Sequence, residues 1–344
     1  MAYITFQPHD YFNTVTYTGN GSTNAITGVG FQPDWVWVKN RTDGSTNHLV
    51  TDVVRGVTKC LFPNLGNAEV TESNALQSFN NDGFTLGSDS SVNTNAKNWV
   101  SWNWKTQNAQ GSSNTDGTIN TTYTSVNTTA GISISQYTGN GSNSTFGHGL
   151  GAVPKLVMVK DIGTSVDWLV YHSALGNTKN LRLNTNEQVD TSGSIWNNTT
   201  PTSSVVSIGT SSAVNGNGNN YIAYCFTEKK GFSKFGSYKG NNNADGAFIY
   251  TGFKPAFIVC RFTGSGNGYD WIMYDNKRPN SANPTPNILE ANTTDAENTD
   301  ANFKCDLLSN GFKFRGTESN VNDTSNYLYW AFAEEPIVSS NNIP

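Results

Sequence analysis

Tyr17-Thr18-Gly19-Asn20-Gly21-Ser22 returns almost letter for letter as Tyr137-Thr138-Gly139-Asn140-Gly141-Ser142, and a third time, weaker, as Tyr238-Lys239-Gly240-Asn241. Each copy is followed by a glycine, a proline and a β-rich run, so the box marks the start of a unit. The copies stand roughly 100 to 120 residues apart, too far for a solenoid repeat and right for tandem domains. The chain therefore reads as three versions of one domain.

The stretches downstream of the three boxes align as well. Gly30-Phe31-Gln32-Pro33 leads into Asp34-Trp35-Val36-Trp37-Val38-Lys39, and Gly151-Ala152-Val153-Pro154 into Lys155-Leu156-Val157-Met158-Val159-Lys160. Gly252-Phe253-Lys254-Pro255 leads into Ala256-Phe257-Ile258-Val259-Cys260-Arg261. A short apolar run after proline, closed by a basic residue, is a strand with its start fixed. A second matching strand comes at His48 to Asp52, Trp168 to His172 and Trp271 to Asp275. A third comes at Gly83 to Leu86 and Gly311 to Phe314, matched more loosely by Val205 to Ile208.

Each unit closes on one aromatic strand: Trp99 to Trp104, Tyr221 to Phe226 and Tyr327 to Phe332. Every second residue gives Val100, Trp102, Trp104; Ile222, Tyr224, Phe226; and Leu328, Trp330, Phe332. That face is wholly large and apolar or aromatic, and the other is mostly small or polar. Period two predicts a strand with the aromatic face on a core. The expected fold is all-β, three tandem antiparallel β-sandwich domains: residues 1–105, a linker at 106–130, residues 131–228, residues 229–336, and a short tail at 337–344. The Asn-, Gly- and Thr-rich linker predicts a first unit free to pivot, whereas the second passes almost directly into the third. The best helical candidate, Asn287 to Asp306, has room for a short helix at most.

Composition narrows the function. With 344 residues, 14% charged and 12% aromatic, the chain suits three small domains with separate cores, joined by turns of Asn, Gly, Ser and Thr. A net charge of −5, with Lys229-Lys230 and Lys277-Arg278 as its adjacent basic pairs, argues against a nucleic-acid partner, which rests on clustered cations. No apolar run approaches bilayer length and no signal peptide is recognisable, so no membrane insertion is expected. Cys60, Cys225, Cys260 and Cys305 show no zinc or redox spacing and are expected as buried free thiols.

Several stretches together resemble a group of virion-associated proteins of marine tailed bacteriophages. They are Phe6-Gln7-Pro8 with Asp10-Tyr11-Phe12, the Tyr-Thr-Gly-Asn-Gly boxes, Gly30 to Arg41, Asp52-Val53-Val54-Arg55-Gly56 and Trp330 to Pro336. The resemblance covers nearly the whole chain. It implies a phage structural protein built of concanavalin-like or jelly-roll β-sandwiches, located in the virion as a tail fibre, another appendage or part of the capsid surface. The implied partners are copies of itself, other virion proteins and a host-surface glycan. It brings no established catalytic residues.

The chemistry legible in the residues is sparse. No Gly-x-Ser-x-Gly elbow, Walker loop or Gly-x-Gly-x-x-Gly occurs, and His9, His48, His148 and His172 have no metal-ligand spacing. No cofactor or metal is expected. Asp52 with Arg55, and Asp275 with Arg278, recur at one place in the first and third units, as a polar clamp on a sugar or as an ion pair bracing a strand end. His172 and Leu175 break the pair in the second unit. Glu69 with Glu72, and Glu334 with Glu335, are the carboxylate pairs a glycosidase would need, but they lack counterparts in the other units. The loops Val92-Asn93-Thr94-Asn95, Val214-Asn215-Gly216-Asn217 and Val321-Asn322-Asp323 offer oxygens to calcium but at most one carboxylate each, so Asx turns explain them more simply. For contact with a ligand, the aromatic residues off the core face stand out: Trp99, Tyr221, Tyr327 and Tyr329. Tyr11 and Phe12, with Tyr327 and Tyr329, are expected at domain or subunit contacts.

Overall fold

In every unit the box ends a strand and turns the chain into a second sheet. The computed structural model describes residues 6–278 and 283–336, with side chains to Glu334; Tyr3, Ile4 and the tail at 337–344 lie outside the described residues. In the first unit the strands Phe12–Thr18, Asn98–Trp104, Trp35–Asn40 and Leu49–Asp52 lie side by side in that order, all antiparallel. The second repeats the order with Ile132–Thr138, Asn220–Phe226, Leu156–Asp161 and Leu169–His172, and the third with Ser233–Lys239, Asn326–Pro336, Phe253–Phe262 and Ile272–Asp275. The closing strand is thus an interior strand, paired on both sides. A smaller sheet covers each large one: Asn24–Ile26 with Gly83–Leu86 and Leu76–Asn80, Ser144–Gly147 with Val205–Ile208, and Phe248–Tyr250 with Gly311–Phe314 and Cys305–Leu308. The protein is all-β, built of antiparallel two-layer units.

The proline does fix the strand start at Pro33 and Pro154, where strands begin two residues later. In the third unit the strand begins earlier, at Phe253, and runs through Pro255 with register shifts on either side of it. Proline brings no N–H to the ladder, and a bulge absorbs the missing bond.

Both faces of the closing strands are buried, which corrects the one-sided reading. Trp99, Tyr221 and Tyr327 lie in the cores between the two sheets of their own units. The aromatic face points the other way. Trp102, Trp104, Tyr224, Phe226, Trp330 and Phe332 join Trp35, Trp37, Leu156, Met158, Phe257 and Val259 in one cluster drawn from all three units. Each unit does have a core of its own, but the separate domains expected from the repeat share a fourth core, and that core crosses both expected boundaries. The N-terminal stretch closes it at one end. Phe12 is buried there, and Tyr11 stacks on Phe6 at 4.8 Å, with Phe232 of the third unit edge-on to both rings. The aromatic residues expected at domain contacts thus include this pair.

The 106–130 linker is also corrected. Thr106 and Asn108 donate backbone N–H groups to Asp34 Oδ2 at 2.7 and 2.9 Å. Ser112 bridges to Thr124, Ile119 bridges to Phe146, and Tyr123–Asn127 adds an edge strand to the second unit. Asn and Thr side chains, which read as loop formers, here serve as hydrogen-bond partners that tie the segment down. The expected short helix within 287–306 is a single 3-10 turn, Ala301–Phe303. All four cysteines are buried and free, in line with their spacing.

Candidate functional site

The repeated boxes and the Val-Asn loops meet, and they meet as a lock. Each loop is one helical turn, Ser90–Asn93, Ser212–Asn215 or Ser319–Asn322. Asn93 is fully buried. Its Oδ1 accepts from the backbone N–H of Asn20 at 2.9 Å, its Nδ2 donates to the carbonyls of Gly87 and Ser22, and its own carbonyl accepts from Gly21 N–H. Asn215 does the same for Asn140, Gly209, Ser142 and Gly141, and Asn322 for Asn241, Gly316, Asn243 and Asn242. The box tyrosines complete it, Tyr17 donating to Val92 O, Tyr137 to Val214 O and Tyr238 to Val321 O, at 2.7 to 2.8 Å. The first box glycine is required by contact: a Cβ on Gly19, Gly139 or Gly240 would overlap the carbonyl oxygen of Thr94, Gly216 or Asp323. These asparagine amides hold backbone in place and leave no oxygen set for a cation.

Asp52 and Arg55 form a buried ion pair, Arg55 Nε donating to Asp52 Oδ2 at 2.6 Å. Arg278 and Asp275 repeat it at 2.6 Å. Each arginine reaches a third member, Arg55 to Glu69 and Arg278 to Glu297, both at 3.2 Å. Burial alone lowers the Arg55 guanidinium, but Asp52, Tyr224 and Glu69 together raise it above its ordinary value. The carboxylates point out of their own units. Tyr224 of the second unit donates its hydroxyl to Asp52 at 2.7 Å, and Trp102 of the first donates Nε1–H to Asp275 at 3.0 Å. In the second unit the whole triad is exchanged for His172, Leu175 and Val189, and the last two pack against the shared core. Removing one charge would strand the others in the interior; exchanging all three does not. His172 keeps the outward bond. Its Nδ1 accepts from Ala174 N–H, so Nε2 carries the proton and donates to Tyr329 O of the third unit at 3.1 Å.

Each unit thus grips the next, and the third grips the first. A second cycle runs the other way: Trp168 Nε1 donates to Phe62 O, Trp271 Nε1 to Arg182 O, and His48 Nε2 to Glu290 O, at 2.9 to 3.0 Å. The basic residues that end the post-proline strands add two more bonds across seams and others within a unit. Lys39 donates to Thr46 O and to Thr294 O across the seam, Lys160 to Asp161 O and Thr164 O, and Arg261 to Glu187 O across its seam, while its guanidinium lies over the Trp271 ring at 5.4 Å. All three are buried. Burial pushes both lysines down to about 8 and Arg261 down to about 10.

The residues expected to meet a ligand are therefore inside the molecule. Trp99, Tyr221 and Tyr327 are 0% exposed and Tyr329 3%, with Asp52, Asp275 and Arg278 no more than 1%. The Arg55 side chain is equally shielded. Off the shared core does not mean on the surface, because a smaller sheet covers that face. The polar clamp is an ion pair bracing a strand end and joining two units. Glu69 sits on Arg55 and Lys59, and Glu334 on Lys254. Sequence reading missed Glu69 and Glu297 as triad members, although their shared absence from the second unit, together with Asp and Arg, was a legible signal. Open polar concavities among the described residues include a cavity of about 260 Å³ at the seam of the second and third units, lined by Arg182, Glu187, Gln188, Val189, Asp190 and Asn267, and one of about 210 Å³ beside His9, Asn276 and Lys277.

Among the described residues no group of three or more His, Cys, Asp or Glu is placed to hold a metal ion, and no helix is long and apolar enough to cross a membrane. Among curated proteins and among solved structures nothing matches the chain. The boxes, locks and seams all fall within residues 7–336, which match the model of a family described as a domain of unknown function (DUF7483), and the chain belongs to that family.

Proposed function

We propose that this chain is a non-enzymatic structural component of a phage particle, in a tail fibre, another appendage or the capsid surface, bound to copies of itself or to neighbouring virion proteins. One observation carries the reading: the side chains that offered a polar clamp, Asp52 with Arg55 and Asp275 with Arg278, are buried and bonded across the seams between units. The Asp52, Arg55 and Glu69 triad with Tyr224 is the type case. A body whose units grip one another in a cycle suits bearing load in an assembly, and the sequence resemblance supplies the particle context. The test is mass spectrometry of purified particles together with a reducing-end assay on polysaccharide. Presence in the particle without glycan cleavage is expected; absence from it, or cleavage at an enzymatic rate, overturns the reading.

A lectin-like module is the second reading. The cavity at the seam of the second and third units favours it, because Arg182 stands there among Glu187, Asp190 and Asn267, the kind of polar set that engages sugar hydroxyls. Polysaccharide retention that is lost on Arg182→Ala would support it.

A further inference from the structure

The strand Phe248–Tyr250 is an edge of the small sheet in the third unit, and among the described residues it carries two of the exposed large apolar side chains. Phe248 is 43% and Tyr250 61% exposed, while Ile249 between them is buried and anchors the strand. The two rings share one face, as residues i and i+2 of a strand do. Phe248 lies over Gly311, where a Cβ would come within 2.8 Å of the ring, so glycine is what lets the ring lie down.

The second unit shows what this edge is built to receive. There the equivalent strand, Ser144–Gly147, is covered by an extended segment of the chain itself. Ile119 N–H donates to Thr145 O at 2.9 Å, and Thr145 N–H donates to the Thr118 hydroxyl at 2.8 Å. Cross-strand register puts Phe248 at the place of Thr145, since Thr145 faces Ser207 and Phe248 faces Lys313 one residue from the matched pairs Phe146–Val206 and Ile249–Phe312. Phe248 therefore turns its N–H and C=O outward as Thr145 does, and among the described residues no segment bonds to that edge. Natural edges are blunted by shortness, charge, proline or a cover. Phe248–Tyr250 is short, at three residues, but it carries neither charge nor proline and is uncovered among the described residues.

We propose that this edge pairs with the same edge of a second copy of the chain, antiparallel and centred on Ile249; the proposal rests on the assembly reading above and names its contact. The register is self-complementary. It sets Phe248 opposite Tyr250 of the other copy and Tyr250 opposite Phe248, so each outward N–H and C=O meets its counterpart and two aromatic pairs form on one face. The contact is small beside the roughly 1,000 Å² of a stable interface, so it is weak and forms in solution as concentration rises.

Sedimentation of the full chain over a dilution series tests it, with quenching of tyrosine emission as the second readout. The wild type is expected to move from monomer towards twice that mass as concentration rises, with shielding of the rings in step. Phe248→Ala with Tyr250→Thr, the residues the first unit carries as Ala25 and Thr27, should stay monomeric, as should Tyr250→Lys; Tyr250→Phe should still pair. A wild type that stays monomeric, a double variant that still pairs, rings equally shielded at every dilution, or shielding that appears only with polysaccharide each overturns the proposal. A chain present in particles yet monomeric in solution overturns this contact and leaves the particle reading, whereas one that pairs yet is absent from particles does the reverse.

Discussion

At the scale of the residue, the lock asparagines concentrate the most bonding in the least volume. Asn215 serves the buried carbonyl of Gly209, the carbonyl of Ser142 and one N–H through its side chain alone, and unpaired buried groups of this kind cost about 1–3 kcal/mol each. Asn215→Ala should therefore lose about 2–4 kcal/mol in urea unfolding, and Asn215→Asp, which keeps the acceptor but turns a buried carboxylate oxygen towards both carbonyls, should lose more. A loss below about half a kcal/mol for Asn215→Ala would mean water fills the lock. The buried histidines make a pH prediction. Burial pushes His172 down to about 4, with the bond to Tyr329 opposing weakly, and burial holds His48 well below its ordinary value. A histidine kept neutral in the folded state and free to protonate when unfolded stabilises above its ordinary value near 6.5, and that stability drains away as pH falls towards 4. For His172 the span corresponds to about 3 kcal/mol. Unfolding free energy measured from pH 7 to pH 4 should fall, and His172→Gln should flatten the fall.

At the scale of the element, the second strand and the loop after it carry the seam, and the triad there behaves as one object. Arg55→Leu alone leaves Asp52 buried beside an apolar group, with half-buried Glu69 keeping Lys59, and should cost about 3–5 kcal/mol. Copying the seam of the second and third units, by Asp52→His, Arg55→Leu, Glu69→Val and Tyr224→Trp together, should cost less than that single change. Equal or larger loss in the fourfold variant would show that the charges hold something the apolar set cannot. The repeat itself made the triad partly legible: Asp52 and Arg55 recur as Asp275 and Arg278 in plain sight, and their break at His172 pointed to structure over ligand. Glu69 and Glu297 were harder to see. They lie 14 and 19 residues beyond their arginines, in loops of differing length, and only the folded loop returns them to the guanidinium.

At the scale of the whole molecule, the shared core makes the three units one cooperative body. Trp35, Tyr224 and Phe332 belong to different units and to the same cluster, so no unit can open without exposing large apolar area in the other two. Denaturant unfolding followed by tryptophan fluorescence and by circular dichroism should give one coincident transition. Residues 131–228 made alone should bind a hydrophobic dye and unfold without cooperativity, because Ile222, Tyr224 and Phe226 would face water; two separated transitions would show that the units are independent after all. Strand positions, the closing alternation and the match of one unit to the next were determined by sequence alone, since periodicity, proline and glycine act within a few residues of themselves. Which side of the closing strand would meet solvent was not. Trp99, Tyr221, Tyr327 and Tyr329 look like surface aromatics only while each unit is pictured alone with one core, and Thr106 to Ala130 looks like a linker only until its Asn and Thr side chains find partners. A strand's alternation tells two faces apart but carries no count of the layers packed against them. That count came from the tertiary closure of three units on one another, set by groups such as Arg261 with Glu187 and Lys39 with Thr294, 74 and 255 residues apart.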